Sequence, residues 1–169
     1  AHGDYISFVD SDDFIALEFI ERLLRLITNN TADIAFCNYS LYCTLEPQVH
    51  TNPSGKSTLY VGRKAIMSNF YNHNCGVSVM AWGKLYKREL FGKIRFPEGR
   101  IYEDEATTYL VFYLAKKVVY LKAPLYFYYR RPDSITTKML TEDNLSVLQT
   151  LQEVVDFYLH NNEKMLAHK

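Results

Sequence analysis

A hydrophobic run that ends in a cluster of acids constrains this sequence more than any other feature. The run YISFV spans Tyr5 to Val9, and Asp10, Asp12 and Asp13 follow it at once. An apolar run that stops abruptly at polar residues is typical of a buried parallel strand. Carboxylates held this close repel one another unless a cation or a proton compensates. The pattern therefore predicts a buried strand with a divalent metal site at its carboxyl end.

Mg²⁺ or Mn²⁺ is the metal that suits such a cluster. These ions accept one or two protein carboxylates and complete their coordination with water and phosphate oxygens. The acids could instead cap the helix that follows. A calcium-binding EF-hand is disfavoured, because its sixth position requires Gly and this chain has Ile15. A phosphatase of the haloacid dehalogenase type also begins with a strand that ends in DxD. This alternative is minor, because such enzymes usually have Thr or Val where this chain has Phe14.

Length and composition predict one globular domain. The chain has 169 residues, of which 48% are hydrophobic, and its 19 basic residues balance its 19 acidic residues. This balance gives no indication of a nucleic-acid partner, and no apolar stretch is long enough to predict a transmembrane segment. Cys37, Cys43 and Cys75 are odd in number and lack CxxC spacing, which fits reduced thiols in a cytoplasmic protein. The polar start without Met suggests a piece of a longer protein.

Hydrophobic periodicity predicts alternating helices and strands. The first helix is expected from Phe14 to Asn30, with Asp12 or Asp13 as its N-cap and an apolar face formed by Leu17, Ile20, Leu23, Leu24 and Ile27. The next predicted elements are a strand over 32–43, a surface loop or hairpin over 46–58, a short helix over 61–71, and an extended piece passing into a helical turn over 76–91. A helix over 103–116, strands over 117–123 and 125–131, and a final helix over 144–161 follow. The apolar face of the final helix is predicted to consist of Leu148, Leu151, Val155, Tyr158 and Leu159.

Four segments in order resemble one known family. GDYISFVDSDD is followed by AWGKLYKRELF, IRFPEGRIYEDE and LYFYYRRPDSIT, and together they resemble the inverting family 2 glycosyltransferases. The resemblance covers about residues 3–138. It implies an α/β chain with a truncated GT-A fold, a Rossmann-like mixed sheet flanked by helices. Residues 1–169 would form a single domain, the C-terminal part of a catalytic domain, with 1–138 family-like and 139–169 forming the C-terminal helix.

The resemblance also implies roles for the acids. Asp12 would bind the metal that bridges the diphosphate, Asp10 would lie near the ribose or the metal, and Asp13 would support the loop. Glu103 and Asp104 would lie on the acceptor side, with Asp104 as the general base that deprotonates the incoming hydroxyl. Considered alone, this acidic pair could equally be the favoured first turn of a helix.

The remaining roles implied by the resemblance concern cations and an aromatic ring. Arg131 with Ser134 would clamp the donor diphosphate, and Trp82 with Lys84 would line the acceptor pocket. Arg131 could instead be an exposed charge at a strand end, and Trp82 and Lys84 could merely pack. The segment that holds the nucleotide base in this family lies upstream of the first strand, so this chain alone is expected to be weak or inactive.

The resulting expectation is a glycosyltransferase that uses Mn²⁺ or Mg²⁺ and a nucleotide-sugar donor, with a UDP-sugar as the expected donor. The acceptor would be a carbohydrate or a lipid-linked molecule, in cell-surface polysaccharide or glycoconjugate biosynthesis. The protein is expected in the cytoplasm, either free or peripheral at the inner face of the membrane. Its oligomeric state is left open, with a homo-oligomer as one alternative. The alternative from another class is a non-catalytic carbohydrate-binding or interaction module on the same fold.

Overall fold

The computed structural model describes residues 2–42, 55–69, 79–130 and 142–168, and within them a six-stranded mixed sheet forms the centre of the protein. The strand order is β1-β5-β3-β6-β2, and β4 also pairs with β6. Only β3 and β6 run parallel among these pairs. The strands are β1 Tyr5–Ile6, β2 Phe14–Ile15, β3 Ile34–Tyr42, β4 Ser57–Val61, β5 Lys84–Lys87 and β6 Lys117–Tyr129.

The first strand differs from the prediction in length and in pairing. β1 covers two residues, pairs antiparallel with β5 and is only half buried, so the expected buried parallel strand over Tyr5–Val9 was wrong. The next strand was predicted correctly, because the expected strand over 32–43 contains the whole of β3. Of the predicted surface loop, residues 46–54 lie outside the described residues, and Ser57 and Thr58 belong to β4.

The longest strand, β6, holds the sheet together. It pairs with β3 along its length, while β4 pairs with its first part and β2 with Tyr126 and Phe127. Two separate strands were predicted here, yet the chain stays extended through Pro124. A register shift places Pro124 opposite Asn38, and such an irregularity accommodates a residue that has no N–H to donate to the ladder.

The first helix, α1, runs over Phe19–Asn30 and begins later than predicted. Phe14 and Ile15 form β2 instead, and the N–H of Ala16 donates to the carbonyl of Leu125 at 2.9 Å. The N-cap position is therefore Glu18, and neither Asp12 nor Asp13 caps the helix. The side chains that α1 buries against the sheet are Phe19, Leu23 and Ile27, whereas Leu17 and Ile20 are exposed.

The remaining helices are α2 Arg63–Met67, α3 Thr108–Leu114, α4 Glu142–His160 and α5 Lys164–Ala167. A single 3₁₀ turn, Arg88–Phe91, follows β5, as the extended-then-helical pattern predicted. α2 begins after β4, so the predicted helix over 61–71 started too early. The predicted helix over 103–116 also started too early, because residues 101–107 form turns.

A second, smaller apolar cluster joins α2, α3, α4 and α5. It is built from Ile66, Tyr109, Val154, Tyr158 and Leu166. The predicted apolar face of the final helix was right at Tyr158, which is buried, and wrong at Leu148, Leu151 and Leu159, which are exposed. Val154, which was not in the predicted face, is buried beside Tyr158. None of the described helices is both long and apolar enough to cross a bilayer.

Candidate active site

The acidic turn, residues 10–13, is bound to β6 by hydrogen bonds. The turn closes through the N–H of Asp13, which donates to the Asp10 carbonyl at 3.1 Å. The Asp13 carboxylate accepts from the Tyr126 hydroxyl at Oδ2, 2.7 Å, and from the Tyr129 N–H at Oδ1, 2.8 Å. The N–H of Asp10 donates to the same Tyr126 hydroxyl at 3.1 Å. Both ends of the turn therefore contact one side chain of the central strand.

A tyrosine from the neighbouring strand also holds the acidic turn. The Tyr42 hydroxyl, at the end of β3, donates to the main-chain carbonyl of Asp12 at 2.9 Å. Burial and the nearby carboxylates of Asp13 and Asp12 raise the pKa of Tyr42. The three hydroxyl contacts and one N–H contact that hold the turn all come from the carboxyl ends of two adjacent parallel strands.

The acids of the two motifs share one electrostatic environment. Partial burial, together with the charges of Asp13, Asp104, Asp12 and Glu103, raises the pKa of Asp10 to about 6. This effect requires the Glu103–Asp104 pair to lie near the acidic turn, although the two are far apart in sequence. The carboxylate crowding that the sequence predicted at residues 10–13 therefore extends to a second acidic segment.

The position of Asp104 is set by both its main chain and its carboxylate. Its carbonyl accepts hydrogen bonds from the N–H and Oγ1 of Thr108, at 2.8 and 2.9 Å, at the start of α3. Its carboxylate accepts the main-chain N–H of Ala81. Burial and the neighbouring Glu103 raise the pKa of Asp104, while the Ala81 N–H and the Lys84 ammonium act in the opposite direction, and the net pKa is raised.

Residues 80–82 form the segment that supplies this N–H, and buried side chains of β5 anchor it. The Tyr86 hydroxyl donates to the Ala81 carbonyl at 2.9 Å, and the Lys84 ammonium donates to the carbonyls of Met80 and Trp82. Both side chains are fully buried. Gly83, between them and the segment, has φ 71, a left-handed conformation that only glycine adopts readily. Two buried side chains and the conformation of one glycine therefore hold residues 80–82 in place.

Trp82 lies between two tyrosines of β6. Its indole stacks on the Tyr126 ring with centroids 4.3 Å apart and on the Tyr128 ring at 5.6 Å, and Tyr39 contacts it edge-on at 5.4 Å. Only 5% of Trp82 is exposed. Trp82 and the buried Lys84 thus pack beside the acids, and their acceptor-binding role stays a prediction. Arg131 and Ser134 lie outside the described residues.

The carboxylates present fit a hard divalent cation. The pKa of Asp10 is raised in part because four other acids lie close to it, and a cation would relieve this repulsion. Within the described ranges, no three His, Cys, Asp or Glu side chains form a metal-binding group on their own. Mg²⁺ and Mn²⁺ ordinarily use one or two protein carboxylates and take their other ligands from substrate and water.

Sequence reasoning found the acids and missed the groups that hold them. The hydroxyls of Tyr42 and Tyr126 and the N–H groups of Ala81 and Tyr129 are all distant in sequence from the acids that they contact, and the Tyr86 hydroxyl acts indirectly by binding the Ala81 carbonyl. The chain has 14 tyrosines, and no local pattern distinguishes these three from the rest. Strand pairing alone brings them to the acids.

Comparison with known proteins assigns the chain to a family. Residues 1–95 match the sequence profile described as glycosyl transferase family 2. The chain is 33% identical over 160 residues to glycosyltransferase GlyG of Streptococcus pneumoniae serotype 4, an alignment that covers 91% of this chain and 52% of that protein. It is 36% identical over 139 residues to glycosyltransferase GlyA of the same organism, covering 79% of this chain and 20% of that protein. The chain thus spans about half or less of these relatives.

The fold is shared with a solved structure. The crystal structure of S. aureus TarS 1-349 in complex with UDP-GlcNAc superposes with a TM-score of 0.64 at 20% sequence identity, covering 92% of this chain and 44% of that chain. The predicted GT-A fold is confirmed by this likeness together with the mixed sheet flanked by helices. The profile match over more than half of the sequence shows that the chain belongs to glycosyl transferase family 2.

Proposed function

We propose that the protein is a metal-dependent, inverting glycosyltransferase. It transfers a sugar from a nucleotide-diphosphate donor to a hydroxyl of a carbohydrate or lipid-linked acceptor. The observation that carries this proposal is the convergence of two acidic segments, because Asp10 experiences the charges of both Asp12 and Asp104. Transfer from a diphosphate donor needs a cation site for the leaving group beside a base for the acceptor, and these segments supply the carboxylates for both.

Asp12 and Asp10 are the residues that would hold Mn²⁺ or Mg²⁺. Bound there, the metal would neutralise the charge that develops on the departing diphosphate. Asp13 is engaged through both carboxylate oxygens with β6, so its contribution is to fix the turn. Arg131 and Ser134 are proposed to clamp the diphosphate from the other side.

Asp104 is the proposed general base. Its ionised carboxylate takes the proton of the acceptor hydroxyl as that oxygen forms a bond to the anomeric carbon. The bond from this carbon to the diphosphate breaks on the opposite face, and its electron pair leaves with the diphosphate. One displacement of this kind inverts the anomeric configuration. A raised pKa suits a base that must gain a proton, and the Ala81 N–H orients the carboxylate.

A UDP-sugar is the proposed donor, and UDP-GlcNAc is the first to test because the structurally similar TarS was solved with it. A panel of other UDP-sugars would then identify the donor. Cell-surface polysaccharide or glycoconjugate synthesis is the proposed process, with the enzyme in the cytoplasm or peripheral at the inner face of the membrane.

The test is donor turnover by the full-length protein with Mn²⁺ and with EDTA. Asp12→Asn and Asp104→Asn should each lower turnover at least about a hundredfold, while Asp156→Asn, which changes an exposed acid on α4, should leave it unchanged. Full activity in either active-site variant would contradict the assignment. Binding of a nucleotide sugar by the wild type without any turnover would instead favour the non-catalytic module.

A further inference from the structure

We propose that Tyr126 is a positioning residue, whose hydroxyl fixes the acidic turn in the shape that binds metal and donor diphosphate. This inference rests on the proposed function, because it assigns a supporting side chain to the same site. Tyr126 lies outside the acidic motifs, on β6. This strand pairs with β2, whose residues directly follow the acidic turn.

The hydroxyl makes two hydrogen bonds of opposite sense. It accepts the N–H of Asp10 at 3.1 Å and donates to Oδ2 of Asp13 at 2.7 Å. These partners are the first and the last residues of the turn, so one oxygen atom spans it. A phenol proton cannot satisfy two acceptors, and the observed pair, one N–H and one carboxylate, uses both capacities of the hydroxyl.

The hydroxyl cannot move away from this position without disturbing the sheet. Tyr126 is fully buried, and its main chain lies in β6 between Ile15 of β2 and Tyr39 of β3. Its ring stacks on Trp82 with centroids 4.3 Å apart and 13° between the planes. The position of the oxygen is therefore set by the strand ladder and by the stacked rings.

The same strand binds Asp13 a second time. The Tyr129 N–H donates to Oδ1 at 2.8 Å, so each oxygen of this carboxylate contacts β6. Asp13 consequently acts as the attachment of the turn, and Asp12 and Asp10 are the acids proposed for the metal. Loss of the Tyr126 hydroxyl would remove its hydrogen bond to Oδ2 of Asp13 and its hydrogen bond from the Asp10 N–H together, while the ring would still fill its place.

The test is Tyr126→Phe in the full-length protein, with Mn²⁺ binding measured in the presence of UDP by the electron paramagnetic resonance signal of free Mn²⁺. Loss of an outer group that orients a metal ligand typically weakens metal affinity about 10–100-fold, and a decrease in this range is expected. Because the base is untouched, kcat at saturating Mn²⁺ should fall much less than the Mn²⁺ affinity. A merely structural role would lower the melting temperature without this separation.

Tyr128→Phe is the matched control. Tyr128 also lies on β6 and also stacks on Trp82, and its hydroxyl makes no described hydrogen bond to the acidic turn. Mn²⁺ affinity should be unchanged in this variant. Equal Mn²⁺ affinity in wild type and Tyr126→Phe would overturn the inference while leaving the proposed function in place.

Asp13→Asn provides a second route if Tyr126→Phe folds poorly. This variant keeps the Tyr126 side chain and replaces the carboxylate that its hydroxyl contacts, so Mn²⁺ affinity should again fall about 10–100-fold, and unchanged affinity would overturn the inference. A wild-type protein that binds UDP without any dependence on Mn²⁺, and turns over no nucleotide sugar, would overturn the proposed function and this inference with it.

Discussion

The indole of Trp82 and the ring of Tyr126 are stacked, with centroids 4.3 Å apart and planes 13° from parallel. This contact joins the segment whose Ala81 N–H holds Asp104 to the strand that holds the acidic turn. The two halves of the proposed site are thus in direct contact through a pair of aromatic rings.

Replacement of Trp82 should therefore affect stability and turnover together. Trp82→Ala removes a nearly buried indole, and we expect a loss of about 3–5 kcal/mol in the free energy of unfolding, together with lower kcat. Trp82→Phe keeps a stacked ring and should lose less of both. Urea denaturation and donor turnover would measure these effects, and an unchanged unfolding midpoint for Trp82→Ala would contradict the packing described.

Gly83→Ala should disturb the same segment through the main chain. Gly83 has φ 71, and a side chain in this left-handed conformation costs about 1–2 kcal/mol. Gly92→Ala is the control, because Gly92 has φ −50 and an added Cβ would meet only the Glu89 carbonyl at an ordinary 3.4 Å. Thermal unfolding should separate the two variants. Equal stability of both would mean that the turn at Gly83 tolerates a side chain.

Lys84→Met should move the acidic limb of the pH–rate profile. Asp104 must be ionised to accept a proton, so kcat/KM should fall as pH falls through its pKa. The Lys84 ammonium lowers this pKa, which means that its removal should raise the pKa and shift the limb to higher pH.

Lys93→Met changes an exposed ammonium and should leave the acidic limb in place. Melting temperatures must accompany the profiles, since Lys84 also donates to the carbonyls of Met80 and Trp82. A limb that stays fixed, or that moves to lower pH, in a folded Lys84→Met protein would contradict the predicted effect on Asp104.

Asp33→Asn should reduce stability in a pH-dependent manner. Oδ1 of Asp33 accepts the Lys87 ammonium at 2.8 Å, and Oδ2 accepts the N–H groups of Lys116 and Lys117 at 2.8 and 3.1 Å. Burial raises the pKa of Asp33, but these hydrogen bonds outweigh burial and lower the pKa below its usual value. The ionised carboxylate is therefore stabilised in the folded state.

A lowered folded-state pKa contributes stability above the unfolded value, near pH 4, and this contribution is lost as pH falls through the folded value. Asp33→Asn should lose about 1–3 kcal/mol at pH 7, and its difference from wild type should shrink below about pH 4. Glu21→Gln, which breaks an exposed pair with Arg25, should change stability by less than about 1 kcal/mol. A pH-independent difference for Asp33→Asn would contradict the assignment.

Sequence patterns predicted the elements that depend on local periodicity. The strand β3 and the helix α4 were expected near their observed bounds, because both are long segments rich in apolar residues, although most of the predicted apolar face of α4 is exposed. Phe14 and Ile15 were placed in a helix because they continue its apolar pattern, yet pairing with β6 makes them a strand. That pairing joins residues more than a hundred positions apart, which a local pattern cannot reveal.

The same limit applies to the candidate site. The acids were recognisable because they are adjacent in sequence and chemically distinctive. Tyr126 and Tyr128 are neighbours of the same type on the same strand, and only the fold determines which hydroxyl meets the acidic turn. The burial of Lys84 could not be predicted from the sequence either, because its ammonium binds main-chain carbonyls, which every residue has.

Both ends of the acidic turn are attached to β6, so the turn becomes ordered when the sheet folds. Fixing the main chain of one residue costs roughly 1–2 kcal/mol in conformational entropy. In this protein that entropy is lost when the sheet folds and not when a ligand binds. A ligand that reaches residues 10–13 meets a preorganised surface and need not order the loop itself. Association should therefore follow a single kinetic phase, without a slow step in which the turn takes shape around its ligand.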